Sequence, residues 1–282
     1  MRGNVFTAHI CNLPWTRGLR RAAGQLRVHE WLSGTTLTFI EKIFYRTVHR
    51  ARIIAVSNRV ARDLRSLYHC RAPISVIYHG VDVKTFIPAQ QNPMRSAVRA
   101  ESHLASGEMA FLFVGDMRKG ARQCIEALAR VGAGTLLFIS RSPDASYRSL
   151  ASKLGVSERV RFLGATGQAE KYYAAADAFL LPTHYDSFAM VVTEAMASSL
   201  PVIVSREAGA AELIQDGENG LILQDFTDTD ELAEKMRLLM DDREFAVRLG
   251  VSGRNTAEHY SWDAVAEQTM RIYKDLLVRR AL

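Results

Sequence analysis

The sequence is poor in cysteine, has no long apolar run and lacks a glycine-rich nucleotide fingerprint, and each absence removes a class of protein. Its three cysteines, Cys11, Cys70 and Cys124, are widely spaced with no CxxC pair, so neither a disulfide framework nor a thiolate zinc site is expected. They read as reduced packing residues. No apolar stretch approaches the ~18–20 residues needed to cross a bilayer, and the start, MRGNVFTAHICNLPW, lacks the continuous apolar centre of a signal peptide. The expected location is the cytoplasm, at most peripheral at the inner face of the cytoplasmic membrane. There is no Walker loop, and the GAG at Gly132 to Gly134 precedes its strand instead of following it, which disfavours a nicotinamide oxidoreductase. Internal repeats and low-complexity segments are also missing.

What is present is a globular balance of 48% hydrophobic and 23% charged residues in 282, enough for two domains of about 100–150 residues each. The net charge of +6 is unevenly placed. Up to Ala72 the chain carries thirteen basic residues, among them Arg17, Arg20, Arg21, Lys42 and Arg46, against only Glu30, Glu41 and Asp63. A basic first part suits an anionic membrane surface, a phosphorylated acceptor or nucleic acid, or simply solvated helix faces. Nucleic acid is the weakest of these, because the cations are not interleaved with aromatics in a recognisable module.

From Met109 onward short β-rich runs alternate with helical stretches: AFLFVG (110–115), TLLFIS (135–140), RVRFLG (159–164), AFLLP (178–182), PVIVS (201–205) and GLIL (220–223). Repeated strand, helix, strand predicts a doubly wound parallel sheet. The first part gives a smaller series of VFTAH, a long helical region through about Arg50, RIIAVS (52–57), NRVARDLRSLYH and ISVIYHG (74–80). A polar stretch with Pro88 and Pro93 then reads as a linker. The fold class is therefore α/β, with two Rossmann-like domains and a cleft between them. The expected division is 1–88, 89–260 and a final helix over 261–282.

Open α/β sheets bind ligands at the C-terminal ends of their strands, where helix N-termini favour anions. That rule selects three loops: Gly115 to Gly120, Thr183 to Phe188 and Arg206 to Ala210. In the first, Arg118 and Lys119 sit beside glycines that let a backbone approach a pyrophosphate. In the second, Asp186 follows a strand, the N–H groups of Ser187, Phe188 and Ala189 are expected to open the next helix, and Glu194 lies about one turn further in. Carboxylates accept from vicinal hydroxyls while free N–H groups hold an anion or a sugar oxygen, so this segment suits a polyhydroxylated ligand joined to phosphate. The plainer alternative is that Asp186 only caps a helix.

HYDSFAMVVTEAMASSLPVIVS (184–205) resembles the signature of retaining family 4 glycosyltransferases of the GT-B fold, in which an acidic residue, seven intervening residues and a Glu bind the donor nucleotide-sugar. The likeness covers nearly the whole chain: RIIAVSNRVARDL, VIYHGVDVKTFIP, AAADAFLLPT, AAELIQDGENGLIL and YSWDAVAEQTMRIY follow in the family's order. The resemblance implies transfer of a sugar from a nucleoside diphosphate sugar to a glycan or glycolipid hydroxyl with retention of configuration, and it implies no metal or other cofactor. It gives Asp186 the donor-sugar hydroxyls with help from the N–H groups of Ser187 and Phe188, Glu194 the ribose, and Lys119 with Arg118 the diphosphate. His9, ending VFTAH, would face the donor sugar; its plainer reading is a buried strand-end histidine. Ser57 and Asn58 would line the cleft, or merely cap the following helix.

The sequence departs from the pattern at several points. Asp186 replaces the more usual Glu, Asp116 stands where an Arg is common, Ser199 replaces a Gly and His79 an Asn. The segments that precede the position of VFTAH in the family have no counterpart here, so an incomplete N-terminal domain with an unpaired strand edge is expected. That expectation keeps open a catalytically silent nucleotide-sugar-binding partner or fragment; a third reading keeps the fold and changes the reaction, as in sugar-nucleotide epimerases.

Overall fold

The computed structural model describes residues 4–23 and 28–281. Strands β1 (Val5–Ala8), β2 (Arg52–Ala55) and β3 (Ile74–Val76) form a parallel sheet in that order. Helices α1 (Asn12–Ala23) and α2 (Val28–Thr47) join the first two strands, and α3 (Asn58–Ser66) joins the second pair. After α4 (Arg95–Glu101) a second sheet is built from β4 (Ala110–Val114), β5 (Thr135–Ile139), β6 (Val160–Phe162), β7 (Ala178–Leu181), β8 (Val202–Ser205) and β9 (Leu221–Leu223). Its helices are α5 (Ala121–Val131), α6 (Ala145–Lys153), α7 (Glu170–Ala175), α8 (Met190–Ala197), α9 (Thr229–Asp241) and α10 (Arg243–Glu258), and the chain ends in α11 (Trp262–Ala281).

All pairings in the second sheet are parallel, in the order β6-β5-β4-β7-β8-β9. The order runs outward in both directions from the pair β4 and β7, so the loops leaving those two strands diverge to opposite faces and open a crevice between them. Helices cover both faces, which is why β4, β5, β7 and β8 read as unbroken apolar runs: Ala110–Phe113, Leu136, Leu137, Phe179–Leu181 and Val202–Val204 are all fully buried. The two sheets together are the α/β architecture read from the sequence. In the first sheet, β1 pairs only with β2 among the described residues and is an edge strand.

The proline-bearing stretch is not a free tether. Arg254 of α10 donates to the carbonyls of Phe86 (2.7 Å) and Val83 (3.2 Å) on one side and of Ala197 (2.5 Å) on the other, and Ala89 N–H bonds Ser198 O. Helix α11 then returns to the first sheet, packing Ile272, Val265 and Leu276 on Ile54, Ile77 and Val5. The crossing is close: a Cβ on Gly80 would stand 2.7 Å from Trp262 N. Gly80→Ala is therefore expected to lose about 1–3 kcal/mol by overpacking, read as a lower urea midpoint at unchanged slope. An unaltered midpoint would mean that α11 yields without cost.

Candidate functional site

The strand order puts the first two of the three selected loops on either side of the β4/β7 crevice. After β4 the chain makes one 3₁₀ turn, Met117–Lys119, capped by Asp116 and closed by Gly120 at φ 116°. Only glycine serves there, because a Cβ would lie 2.4 Å from Pro182 O at the end of β7. That contact pins the two loops together. Across the crevice, Lys119 Nζ reaches Asp186 Oδ2 at 2.6 Å, with Asp186 buried and Lys119 mostly so.

The second Asp186 oxygen accepts the Phe188 N–H at 3.2 Å, while its backbone N–H and carbonyl bond Glu207 O and Gly209 N–H on the third loop. Helix α8 begins later than the sequence predicts, at Met190, with Ala189 in the left-handed region at φ 72°. Ser187, Phe188 and Ala189 thus form a tight turn held by the Asp186 carboxylate, and the expectation that their N–H groups open the helix is corrected. Gly209 lies so close beneath that turn that a Cβ would fall 2.2 Å from Ser187 O.

A cavity of about 230 Å³ sits over these groups, lined by Gly115, Lys119, Asp186, Ser187, Phe188 and His79 among others. A second, of about 420 Å³, shares Val114 and Gly115 with it and extends over the ends of β4, β5 and β6 along Ile139–Ser142 and Ala165–Ala169. His9, exposed after β1, is not in the lining of the smaller cavity. It stacks in parallel on His79 at 5.4 Å, and His79 in turn meets the edge of Phe188 at 5.3 Å. Burial first, then the neighbouring His9, hold the His79 pKa below its usual value, with Asp186 opposing. His79 sits at the cavity where sequence reasoning had looked for His9.

Arg118 is turned back. Its guanidinium contacts both Asp116 oxygens at 2.6–3.1 Å and lies 5.5 Å from the centre of the Trp15 ring, and Lys119 lies 5.9 Å from the same ring. Burial alone would push the Asp116 carboxyl up, but the Arg118 side chain and N–H hold it below the usual range. Glu194 is half-buried on α8 with Oε2 2.7 Å from Tyr173 OH; burial raises its pKa and the tyrosine opposes. It is not part of the smaller cavity's lining.

Elements of the first sheet close the cleft. Ser57 does two jobs: it caps α3 through Val60 N–H at 3.1 Å and donates to Ser187 O at 2.6 Å. Glu212, from the 3₁₀ turn after Gly209, accepts the N–H groups of Asn58 (2.8 Å) and Arg59 (2.6 Å). Arg59 pairs with Glu207 at 2.5 Å. On α1, Trp15 packs 4.6 Å from buried His184, and a Cβ on Gly18 would come 2.4 Å from that ring. Sequence reasoning passed over Glu212, Trp15, His184 and Tyr173. His184 lies inside the quoted signature and Glu212 inside AAELIQDGENGLIL, whereas Trp15 and Tyr173 carried no such signal.

The family model "Glycosyl transferases group 1" matches residues 94–256, more than half of the chain, and "Glycosyltransferase Family 4" matches residues 3–85. The chain belongs to the group 1 glycosyltransferases. Spore coat protein SA of Bacillus subtilis (strain 168) is 30% identical, over 94% of this chain and 77% of that protein. D-inositol 3-phosphate glycosyltransferase of Corynebacterium glutamicum (strain R) is also 30% identical, over 82% of this chain and 59% of the relative. Against several of these curated relatives the chain spans little more than half their length. Sucrose-phosphate synthase from Thermosynechococcus elongatus superimposes with TM-score 0.79 at 25% identity, covering 98% of this chain and 68% of that one. Anabaena HepE, solved with UDP and glucose, gives TM-score 0.79 at 19% identity over 96% of this chain and 71% of its own. The fold of this group 1 glycosyltransferase is thus GT-B.

Neither ring nitrogen of His184 has a hydrogen bond of good geometry; burial first, then the Lys119 and Arg118 charges, lower its pKa from 6.5 to about 4, with the Arg118 backbone and Asp116 opposing. A base with a depressed folded pKa stabilises the fold above its unfolded value and loses that contribution as pH falls. The loss should run from about pH 6.5 down to about 4, and the displacement corresponds to about 3 kcal/mol. Thermal melts across that window should fall more steeply for wild type than for His184→Asn. Parallel curves would remove His184 as the titrating group.

Proposed function

We propose that the protein transfers a sugar from a nucleoside diphosphate sugar to a hydroxyl of a glycan or glycolipid, with retention of configuration. The observation that carries this reading is the pairing of Lys119 with Asp186 at the β4/β7 crevice, a cation for a diphosphate set against a carboxylate for sugar hydroxyls. The Anabaena HepE structures contain UDP and UDP-glucose on the same fold, which supports a nucleotide-sugar donor. The nucleoside would occupy the 420 Å³ cavity beyond Gly115, with the diphosphate at the Gly115–Lys119 loop and the sugar over Asp186 and the Ser187–Phe188 turn.

In this reading Lys119 leaves Asp186 for the diphosphate and the carboxylate turns its lone pairs to the sugar. Arg118 adds charge without leaving Asp116, and the Ser187 and Phe188 turn shapes the sugar's seat. Glu194 would take the ribose hydroxyls by giving up Tyr173, and His9 would act at the sugar through His79. The bond from the anomeric carbon to the diphosphate breaks while the acceptor oxygen attacks from the same face. Its proton passes to an oxygen of the departing diphosphate, so no covalent enzyme nucleophile and no metal is invoked. The protein contributes position and preset charge. The basic first part would meet an anionic membrane surface or acceptor; among the described residues no helix is long and apolar enough to cross a membrane.

A thermal-shift titration with UDP, GDP and ADP and their sugar conjugates tests the donor site. One nucleotide series should stabilise the wild type selectively. Lys119→Ala should weaken the diphosphate about 10–100-fold, the worth of a charged hydrogen bond, and Asp186→Asn should weaken the sugar conjugate more than the bare nucleotide. Glu194→Gln should weaken binding yet melt higher at neutral pH, because ionising a carboxyl whose folded pKa is raised costs stability above that pKa. No response from a folded wild type would point to a degenerate donor site and favour a silent fragment over an enzyme.

A further inference from the structure

Away from the donor crevice, α1 and α2 enclose a cavity of about 510 Å³. Leu13, Thr16, Arg17 and Arg20 line it from α1, a spacing of i, i+3, i+4 and i+7 that defines one helical face. Thr35, Thr38, Phe39 and Lys42 repeat that spacing on α2. Two helical faces are therefore turned toward each other across a gap, with Gly34 at its end. Three cations border the gap, and among the described residues no carboxylate does. Arg17, Arg20 and Lys42 have no ion pair among the described residues. Glu41, beside Lys42, is committed elsewhere, accepting from the Asn12 N–H and Tyr68 OH.

Phe39 belongs to the groove and also to a second surface. It is 64% exposed and is followed around α2 by Ile43 (50%), Ile40 (55%) and Leu37 (46%). Isolated exposed apolar residues need no explanation, but four on one helix, joined to a basic groove, are a contiguous feature. A second copy of this chain would bring the same cations face to face, which argues against self-association through this surface.

We propose that the groove binds the phosphate of a lipid-borne ligand, Arg17, Arg20 and Lys42 taking the phosphate and the Phe39, Ile40 and Ile43 stripe taking its hydrocarbon. Charge complementarity selects the anion, and the continuity of groove and stripe at Phe39 selects an anion carried on an apolar chain. The opposite face of α1 carries Trp15 and Gly18 against the donor loop, so a lipid phosphate in the groove is one helix thickness from the sugar. That the bound lipid also carries the acceptor hydroxyl rests on the transferase reading; the binding itself does not.

Calorimetric titration of the full chain with a phosphatidic acid bearing two short, six-carbon chains, below its micelle concentration, tests the site. Glycerol 3-phosphate and the matching neutral diacylglycerol are the comparators. Phosphatidic acid should bind at least about ten-fold more tightly than either, and Arg17→Gln/Arg20→Gln should weaken it about ten-fold or more. Ile40→Ser/Ile43→Ser should bring it toward glycerol 3-phosphate. Equal binding of glycerol 3-phosphate would replace the lipid by a free phosphate ester, equal binding of the neutral lipid would remove the cations from the site, and no binding would overturn the proposal. A cooperative thermal melt at the wild-type midpoint shows that each variant is folded. A wild type that binds phosphatidic acid but no nucleotide would sink the transferase reading and leave the groove standing.

Discussion

The N-terminus of α3 is the point on which both sides of the cleft depend. A helix start leaves backbone N–H groups without partners, and α3 has no acidic residue of its own in its first turn. Ser57 satisfies one N–H from within the first domain and Glu212 satisfies two from the other. A cap of this kind contributes about 0.5–2 kcal/mol. Separating the domains would strip the Glu212 part of it, so closure of the cleft is coupled to the integrity of a helix. The same Ser57 hydroxyl donates to Ser187 O, which ties that cap to the backbone of the Ser187–Ala189 turn.

Around this anchor the site is held in shape by close approach. Gly120 lets the β4 loop lie on Pro182, and Gly209 lets the third loop lie under Ser187. The left-handed Ala189 costs backbone energy, of the order of 1 kcal/mol or more, and it delays α8 by three residues so that Asp186 can curl back onto Phe188 N–H. The Lys119–Asp186 pair is thereby held at the crevice by the backbone on both of its sides.

Much of this was legible in the sequence, for physical reasons that differ by element. The strands of the second sheet were read within about one or two residues because a doubly covered parallel strand is apolar along most of its length, as β4, β5, β7 and β8 are; the edge strand β6, with Arg161 at its centre, was found by its spacing in the strand–helix series. The crevice loops followed from the strand order. The late start of α8 was not legible, since Ser187 in SFAMVV resembles an ordinary cap and only the tertiary contact with Gly209 explains the turn. His79 and Glu212 were missed because each acts on residues distant in the chain, and their roles depend on how the two sheets face each other. Arg118 was read as a phosphate ligand from its place beside Lys119. Its engagement with Asp116, two residues earlier, follows from the 3₁₀ turn that Asp116 caps, which brings the carboxylate back to both the Arg118 N–H and its guanidinium.

Helix α1 presents Leu13, Thr16, Arg17 and Arg20 on one side and Trp15 and Gly18 on the other, and it does so within two turns. Its two sides answer to different neighbours and share no side chain. Substitutions along the outward side can therefore change the groove while the inward side stays fixed by its packing on His184, so one surface can be altered or redesigned with the other left as it was.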